Sequence, residues 1–237
     1  MFLLLSNSSF GFESHAADLK KRKLIAQAPQ NVQPIQTDAP PQGLSAASTL
    51  KQGRQLIDMG RLQDALRTFQ IYTGMKPQDA SGYFWMAVCY DEMGNLPAST
   101  QAYRDSISRA EQNAMDSCEI RMNLGNVLLK QNEFDQAIEN YKRALEVNPQ
   151  YSLAELNLGR AYIAKGDFQS GLAALTKCEE LHFAGPQLPY YKAKALMGLG
   201  RKDEAAVIVL RLLQDLPPGN HKISIQQEFQ SCLPPPK

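Results

Sequence analysis

Apolar residues recur along most of this chain at steps of three and four, in runs separated by short polar turns. The pattern is cleanest between Cys118 and Tyr151. Met122, Leu124, Gly125, Leu128 and Leu129 form one apolar face, and Phe134, Ala137, Ile138, Tyr141, Ala144, Leu145 and Val147 form a second. Steps of this size place side chains on one side of a helix, so the stretch predicts two amphipathic helices. Gln131-Asn132-Glu133 stands between them, and asparagine tolerates the left-handed conformation that ends a helix. Asn148-Pro149 closes the second helix, because proline disfavours helix in the residue before it. The unit is a helical hairpin with small residues, Gly125 and Ala137, where its two helices approach.

The same unit recurs over about 46–79, 80–117, 118–151, 152–185 and 186–219. Three columns carry it. Gly53, Ala87, Gly125, Gly159 and Ala193 keep the first helix narrow; Ala65, Ser99, Ala137, Gly171 and Ala205 do so for the second. A large side chain in either column would push the hairpin apart. Gly60, Gly94, Asn132, Gly166 and Gly200 terminate the first helix. Corresponding residues stand 34 apart, except that Ala87 and Gly125 stand 38 apart. The added residues fall around Glu111 to Ser117, which predicts a longer second helix or a wider turn in copy two.

These columns and their 34-residue period resemble the tetratricopeptide repeat family, over about three quarters of the chain. The resemblance implies an all-α, right-handed superhelical solenoid of about five hairpins, because a hairpin of this kind buries its apolar face only against its neighbours. Stacked repeats also need a terminal cap with a polar outer face, and residues 220–233, with Ile223, Ile225, Phe229 and Cys232 among Gln, Glu and Lys, are read as that capping helix, followed by a tail at 234–237. The family's large aromatic near the start of the first helix is poorly matched: the column holds Thr49, Tyr83, Arg121, Glu155 and Pro189.

The segments before the repeats read differently. Residues 1–16 hold a short apolar run, Phe2 to Leu5, and small residues at Ser14-His15-Ala16 in the spacing a signal peptidase reads. They are read either as the end of a truncated signal peptide, which favours an exported, periplasmic or extracytoplasmic location, or as a disordered tail of a cytoplasmic protein. Residues 17–45, rich in Pro and Gln, have too few apolar residues to offset the entropy of ordering and are read as a disordered linker.

Net charge over the 237 residues is +1, which gives no electrostatic case for nucleic acid. There is no 18-residue apolar run, so no transmembrane segment is expected. Cys89, Cys118, Cys178 and Cys232 are far from metal-ligand spacing and read as small apolar residues on helix faces; no metal or cofactor is expected. The histidines are His15, His182 and His221, and no GxSxG, HExxH or phosphate loop is present, so no catalytic residues are assigned and the chain is read as non-enzymatic.

In the family, the first helices line a concave groove that binds peptides or helices of other proteins. Carried onto this chain, the groove would present Lys51 and Arg54 in copy one, Phe84, Trp85, Val88 and Asp91 in copy two, and Met122, Asn123 and Asn126 in copy three. Copy four would add Asn157 and Arg160, and copy five Tyr190, Tyr191 and Lys194. Aromatics and arginine often dominate interfaces, and amides suit the backbone of an extended ligand. A plainer role competes: the asparagines are common repeat residues, and Phe84 and Trp85 could pack between hairpins. The Lys/Asn, Asn, Lys/Arg arrangement of repeat domains that hold the acidic tails of heat-shock chaperones is not reproduced, since Leu50 and Arg54 stand where it needs Lys and Asn. The expected function is a scaffold or adaptor that binds a peptide or helix of a partner protein, as an exported cell-envelope assembly factor. The alternatives are an intracellular co-chaperone or scaffold, and a self-association module.

Overall fold

In the computed structural model, residues 45–113 and 117–234 are described; the expectations for residues 1–44 and for the final residues 235–237 lie outside them. The described residues form eleven helices and no strand. They are α1 (Ala46–Asp58), α2 (Leu62–Met75), α3 (Ala80–Glu92), α4 (Leu96–Gln112), α5 (Cys118–Lys130), α6 (Phe134–Val147), α7 (Ser152–Lys165), α8 (Phe168–Glu180), α9 (Gln187–Gly198), α10 (Lys202–Asp215) and α11 (Asn220–Glu228). Each odd-numbered helix through α9 packs against the even-numbered helix that follows it, and each hairpin packs on the next. The result is an all-α solenoid of five hairpins with α11 at one end.

The turn within each hairpin is the same device five times. Gly60, Gly94, Asn132, Gly166 and Gly200 all have positive φ, between 62° and 90°. The residue after each donates its N–H back five residues: Arg61 to Leu56, Asn95 to Tyr90, Glu133 to Leu128, Asp167 to Tyr162 and Arg201 to Leu196, at 2.8 to 2.9 Å. These bonds satisfy carbonyls that the end of a helix leaves without a partner. Asn132 does with a side chain what glycine does elsewhere.

Close approach follows the two small-residue columns. A Cβ on Gly125 would meet the Tyr141 ring at 2.6 Å, and one on Gly159 would meet Leu175 at 2.7 Å and the carbonyl oxygen of Gly171 at 3.1 Å. In copy two the Ser99 hydroxyl, fully buried, donates to the Ala87 carbonyl at 2.9 Å. Phe69, Tyr103, Tyr141, Leu175 and Val209 share one register and are all buried beside these columns.

The extra length falls in copy two. α4 runs 17 residues, against 13 or 14 for the other second helices. Its last turn reaches past the hairpin, where Arg109 lies over the Tyr83 ring at 3.6 Å and donates to the Pro77 carbonyl. At the far end, Ile225 of α11 and Phe229, which caps its C-terminus, are buried against Tyr190, Val209 and Leu212. His221, Ser224, Gln226, Gln227 and Glu228 of that helix face solvent, together with Ile223.

The column that departs from the family pattern is polar inside the structure. Thr49 is buried and its hydroxyl donates to the Ser45 carbonyl at 3.0 Å. Arg121 is buried, donates to Ser117 Oγ at 3.1 Å and pairs with Glu111. Glu155 is buried and accepts Lys177 at 2.5 Å. Buried charge is costly unless paired, and both charges here have a partner.

Candidate binding surface

The first helices line one side of the stack as a wall, with direct contacts between α1 and α3, between α5 and α7, and between α7 and α9. Along it the surface side chains repeat a motif. Arg54 lies over the Trp85 ring of the next copy at 5.1 Å, and Arg160 lies over the Tyr191 ring of the next copy at 5.2 Å. Both pairs join the same two registers of adjacent repeats, since Trp85 and Tyr191 occupy equivalent positions. A guanidinium over an aromatic face is held by the ring quadrupole, at about 0.5–1 kcal/mol in exposed sites.

Between these two stacks the wall is built of amides. Asn126 is half-buried; its Oδ1 accepts the Tyr141 hydroxyl at 2.7 Å and its Nδ2 points at Met122 Sδ, 3.2 Å away. Burial pushes the Tyr141 hydroxyl well above the usual phenol range, so it remains a donor. Asn157 approaches the same sulfur at 3.6 Å and accepts Arg160 Nη1 at 2.7 Å. A core tyrosine, a buried methionine and a buried amide thus orient Asn126 and Arg160. Asn123 stands half-buried beside them.

The predicted groove residues therefore divide. Asn123, Asn126, Arg160 and Tyr191 come together as a half-exposed surface spanning copies three to five. Met122 and Asn157 are 6% and 3% exposed and support that surface from beneath rather than forming it. Trp85 packs between hairpins, stacked on Phe69 of copy one with ring centroids 6.2 Å apart, whereas Phe84 packs within its own hairpin, edge-on to Tyr103. Val88 also packs against the core. Lys51 is exposed at the start of the wall. Asp91 is bound through both oxygens by Lys130 at 2.7 Å.

Tyr190 and Lys194 meet the last helix. Tyr190 is buried, lies edge-on to Phe229 and donates its hydroxyl to Glu228 at 2.8 Å; Lys194 pairs with the same carboxylate at 3.0 Å. Helix α11 thus covers this end of the wall. Sequence reasoning missed Lys130 and Glu228 as partners of wall residues, although each stands on the first-helix register at a position where a complementary charge could have been sought. Among the described residues no group of His, Cys, Asp and Glu is placed to hold a metal, and no helix is long and apolar enough to cross a membrane.

A stack of helical hairpins with a first-helix wall of amides and cations defines an α-solenoid repeat protein. The chain belongs to the tetratricopeptide repeat family: one model of that repeat matches residues 118–151, and a second, with the same description, matches 50–114 and 156–221. Proteins of this family act in protein–protein interaction. Human DnaJ homolog subfamily C member 3 is 30% identical over 100 residues, 42% of this chain and 19% of that protein. BBSome complex member BBS4 of Bos taurus is 29% identical over 121 residues, 51% of this chain and 22% of that protein. The chain spans about a fifth of the length of these curated relatives. Among solved structures, MamA aligns with a TM-score of 0.63 at 18% identity, over 78% of this chain and 95% of that one. YrrB, a TPR protein with an unusual peptide-binding site, aligns with a TM-score of 0.63 at 15% identity, over 77% and 92%. Both likenesses are of fold.

Proposed function

We propose that this protein is a non-enzymatic adaptor that holds an extended segment of a partner protein along its first-helix wall. The observation that carries this reading is the pre-oriented set Asn123, Asn126, Arg160 and Tyr191. Two amides provide donors and acceptors for a peptide backbone, a guanidinium provides donors for a carboxylate, and an aromatic ring provides apolar area. Their supports are already in place, which lowers the entropic cost of binding. The peptide-binding site of YrrB, on the same fold, supports the class of ligand. An exported, cell-envelope role rests on residues 1–16, which lie outside the described residues.

The test replaces Asn126 and Arg160 together with Ala, leaving Trp85 intact because it holds copies one and two together. Helical content is checked by circular dichroism, and partner proteins that co-purify with wild type are quantified by mass spectrometry. The reading expects their loss from a folded double variant. Equal recovery from the double variant would overturn it.

A further inference from the structure

We propose a second binding site, on the second-helix side between copies two and three, that takes an acidic peptide segment. The site exists because the spacing there is irregular. The longer α4 carries Glu111 past the point where the other second helices end, and with Ile107 of α4 and residues of α5 and α6 it lines an open cleft of about 290 Å³. That volume is at or below the lower limit for drug-sized ligands and suits individual side chains of a macromolecular partner.

Three arginines from three helices converge on it: Arg104 of α4, Arg121 of α5 and Arg143 of α6. Arg121 is committed to the fold by its ion pair with Glu111 and its bond to Ser117, with its side chain only 10% exposed. The other two are available. Arg104 spends one donor on the neutral Gln136 Oε1, at 3.0 Å. Arg143 pairs with Glu139 at 2.7 Å, four residues away on the same helix, and both side chains are more than half exposed. Exposed pairs of that kind are weak and exchange readily. A guanidinium has five N–H donors in a planar fork, so both arginines keep donors in the geometry that meets a carboxylate in bidentate fashion.

Two carboxylates, Glu111 and Glu139, also line the cleft, and three guanidiniums outnumber them. Ile107 and Leu124, both buried, supply apolar wall between the charges. Acidic residues alternating with apolar ones are the chemistry that matches. The arrangement is local: the Arg104 register holds Gln70, Lys142, Thr176 and Leu210 in the other copies, and the Arg121 register holds Thr49, Tyr83, Glu155 and Pro189, so the three-arginine cluster is not a consequence of the repeat.

The probe is a fluorescein-labelled peptide of alternating leucine and glutamate, titrated with the full chain by fluorescence polarisation at low ionic strength, where exposed charges are least screened. Binding is expected to weaken with added salt. It should weaken by roughly tenfold or more in Arg104→Glu/Arg143→Glu, and in the same direction in Arg104→Gln/Arg143→Gln, since each lost charge-assisted contact is of that order. It should be unchanged in Arg67→Ala, an exposed arginine of α2 outside both the cleft and the first-helix wall. Amide shift changes in labelled protein should centre on Arg104, Asn140 and Arg143. No binding at low salt, equal binding by both double variants, shift changes confined to the first-helix wall, or competition by millimolar inorganic phosphate as effective as unlabelled peptide would each overturn the proposal.

Discussion

Copies two and three meet the same packing requirement in different ways, and the difference reaches the surface. In copy three Gly125 leaves room for the Tyr141 ring, whose hydroxyl passes through to the wall and fixes Asn126. In copy two the equivalent first-helix residue is Ala87, Tyr103 lies edge-on to Phe84, and the wall position in register with Asn126 is Val88. Copy two is thus an apolar joint, with Trp85 stacked on the preceding hairpin, whereas copy three presents amides set by its own core. The start of each copy differs too. Asp79 caps α3 by accepting the Ser81 N–H at 2.8 Å, while Ser117 makes no side-chain cap on α5. One repeat unit can therefore be an apolar joint or present a core-anchored amide at the wall, as the glycine and tyrosine of copy three do.

The largest effect is expected where that difference is reversed. Gly125→Val drives a branched side chain into the buried Tyr141 ring and should cost about 3 kcal/mol, the upper part of the range for overpacking. Ala87→Gly should cost only about 1 kcal/mol, from helix flexibility. Urea unfolding followed by circular dichroism checks both.

The next effect separates the two helix starts. Asp79→Ala should cost about 1–2 kcal/mol, since it removes the cap and the bond from the Tyr72 hydroxyl. Burial alone would raise the Asp79 carboxyl, but the bonds from Tyr72 and Ser81 outweigh it and hold the group below its usual value. A depressed carboxylate stabilises the fold fully above its unfolded value, about 3.9, and the contribution fades as pH falls through the folded value. The stability gap between wild type and variant should therefore be full at neutral pH and shrink in acid. Burial likewise pushes Tyr72 up to about 12, so its hydroxyl stays protonated throughout.

A smaller effect tests the link from core to wall. Tyr141→Phe should cost about 1 kcal/mol, the net value of one hydrogen bond, and should lower partner recovery because Asn126 loses its acceptor role toward the core. The smallest change in stability is expected for Arg160→Ala, under about 1 kcal/mol, because the cation lies on a half-exposed aromatic face. Its effect on binding should exceed its effect on folding.

Much of this architecture was legible because the backbone accepts few residue types at certain points. A left-handed turn selects Gly or Asn, which made Gly60, Gly94, Asn132, Gly166 and Gly200 readable, and close helix approach selects Gly, Ala or Ser. The surplus between copies two and three also appeared where α4 is longer. The surface was less legible. Periodicity identifies a face but not how far each position on it turns toward solvent, so Met122, Asn157 and Tyr190 looked equivalent to Asn123, Arg160 and Tyr191 although the neighbouring hairpin or α11 covers them. The mismatched family column was visible as a departure. That Arg121 and Glu155 would sit buried with Glu111 and Lys177 was not, because those partners lie on other helices at spacings the repeat does not dictate. His182, at φ 58°, ends α8 in a left-handed turn without the glycine that signals one elsewhere.

The most direct test of the wall as the ligand surface is site-specific photo-crosslinking in cells, with a benzophenone amino acid placed at Asn123, at Tyr191 or, as an outward-facing control, at Thr176 of α8. Crosslinked partner adducts from positions 123 and 191, and none from 176, are the predicted result. Adducts from 176 alone, or equal adducts from all three positions, would contradict it.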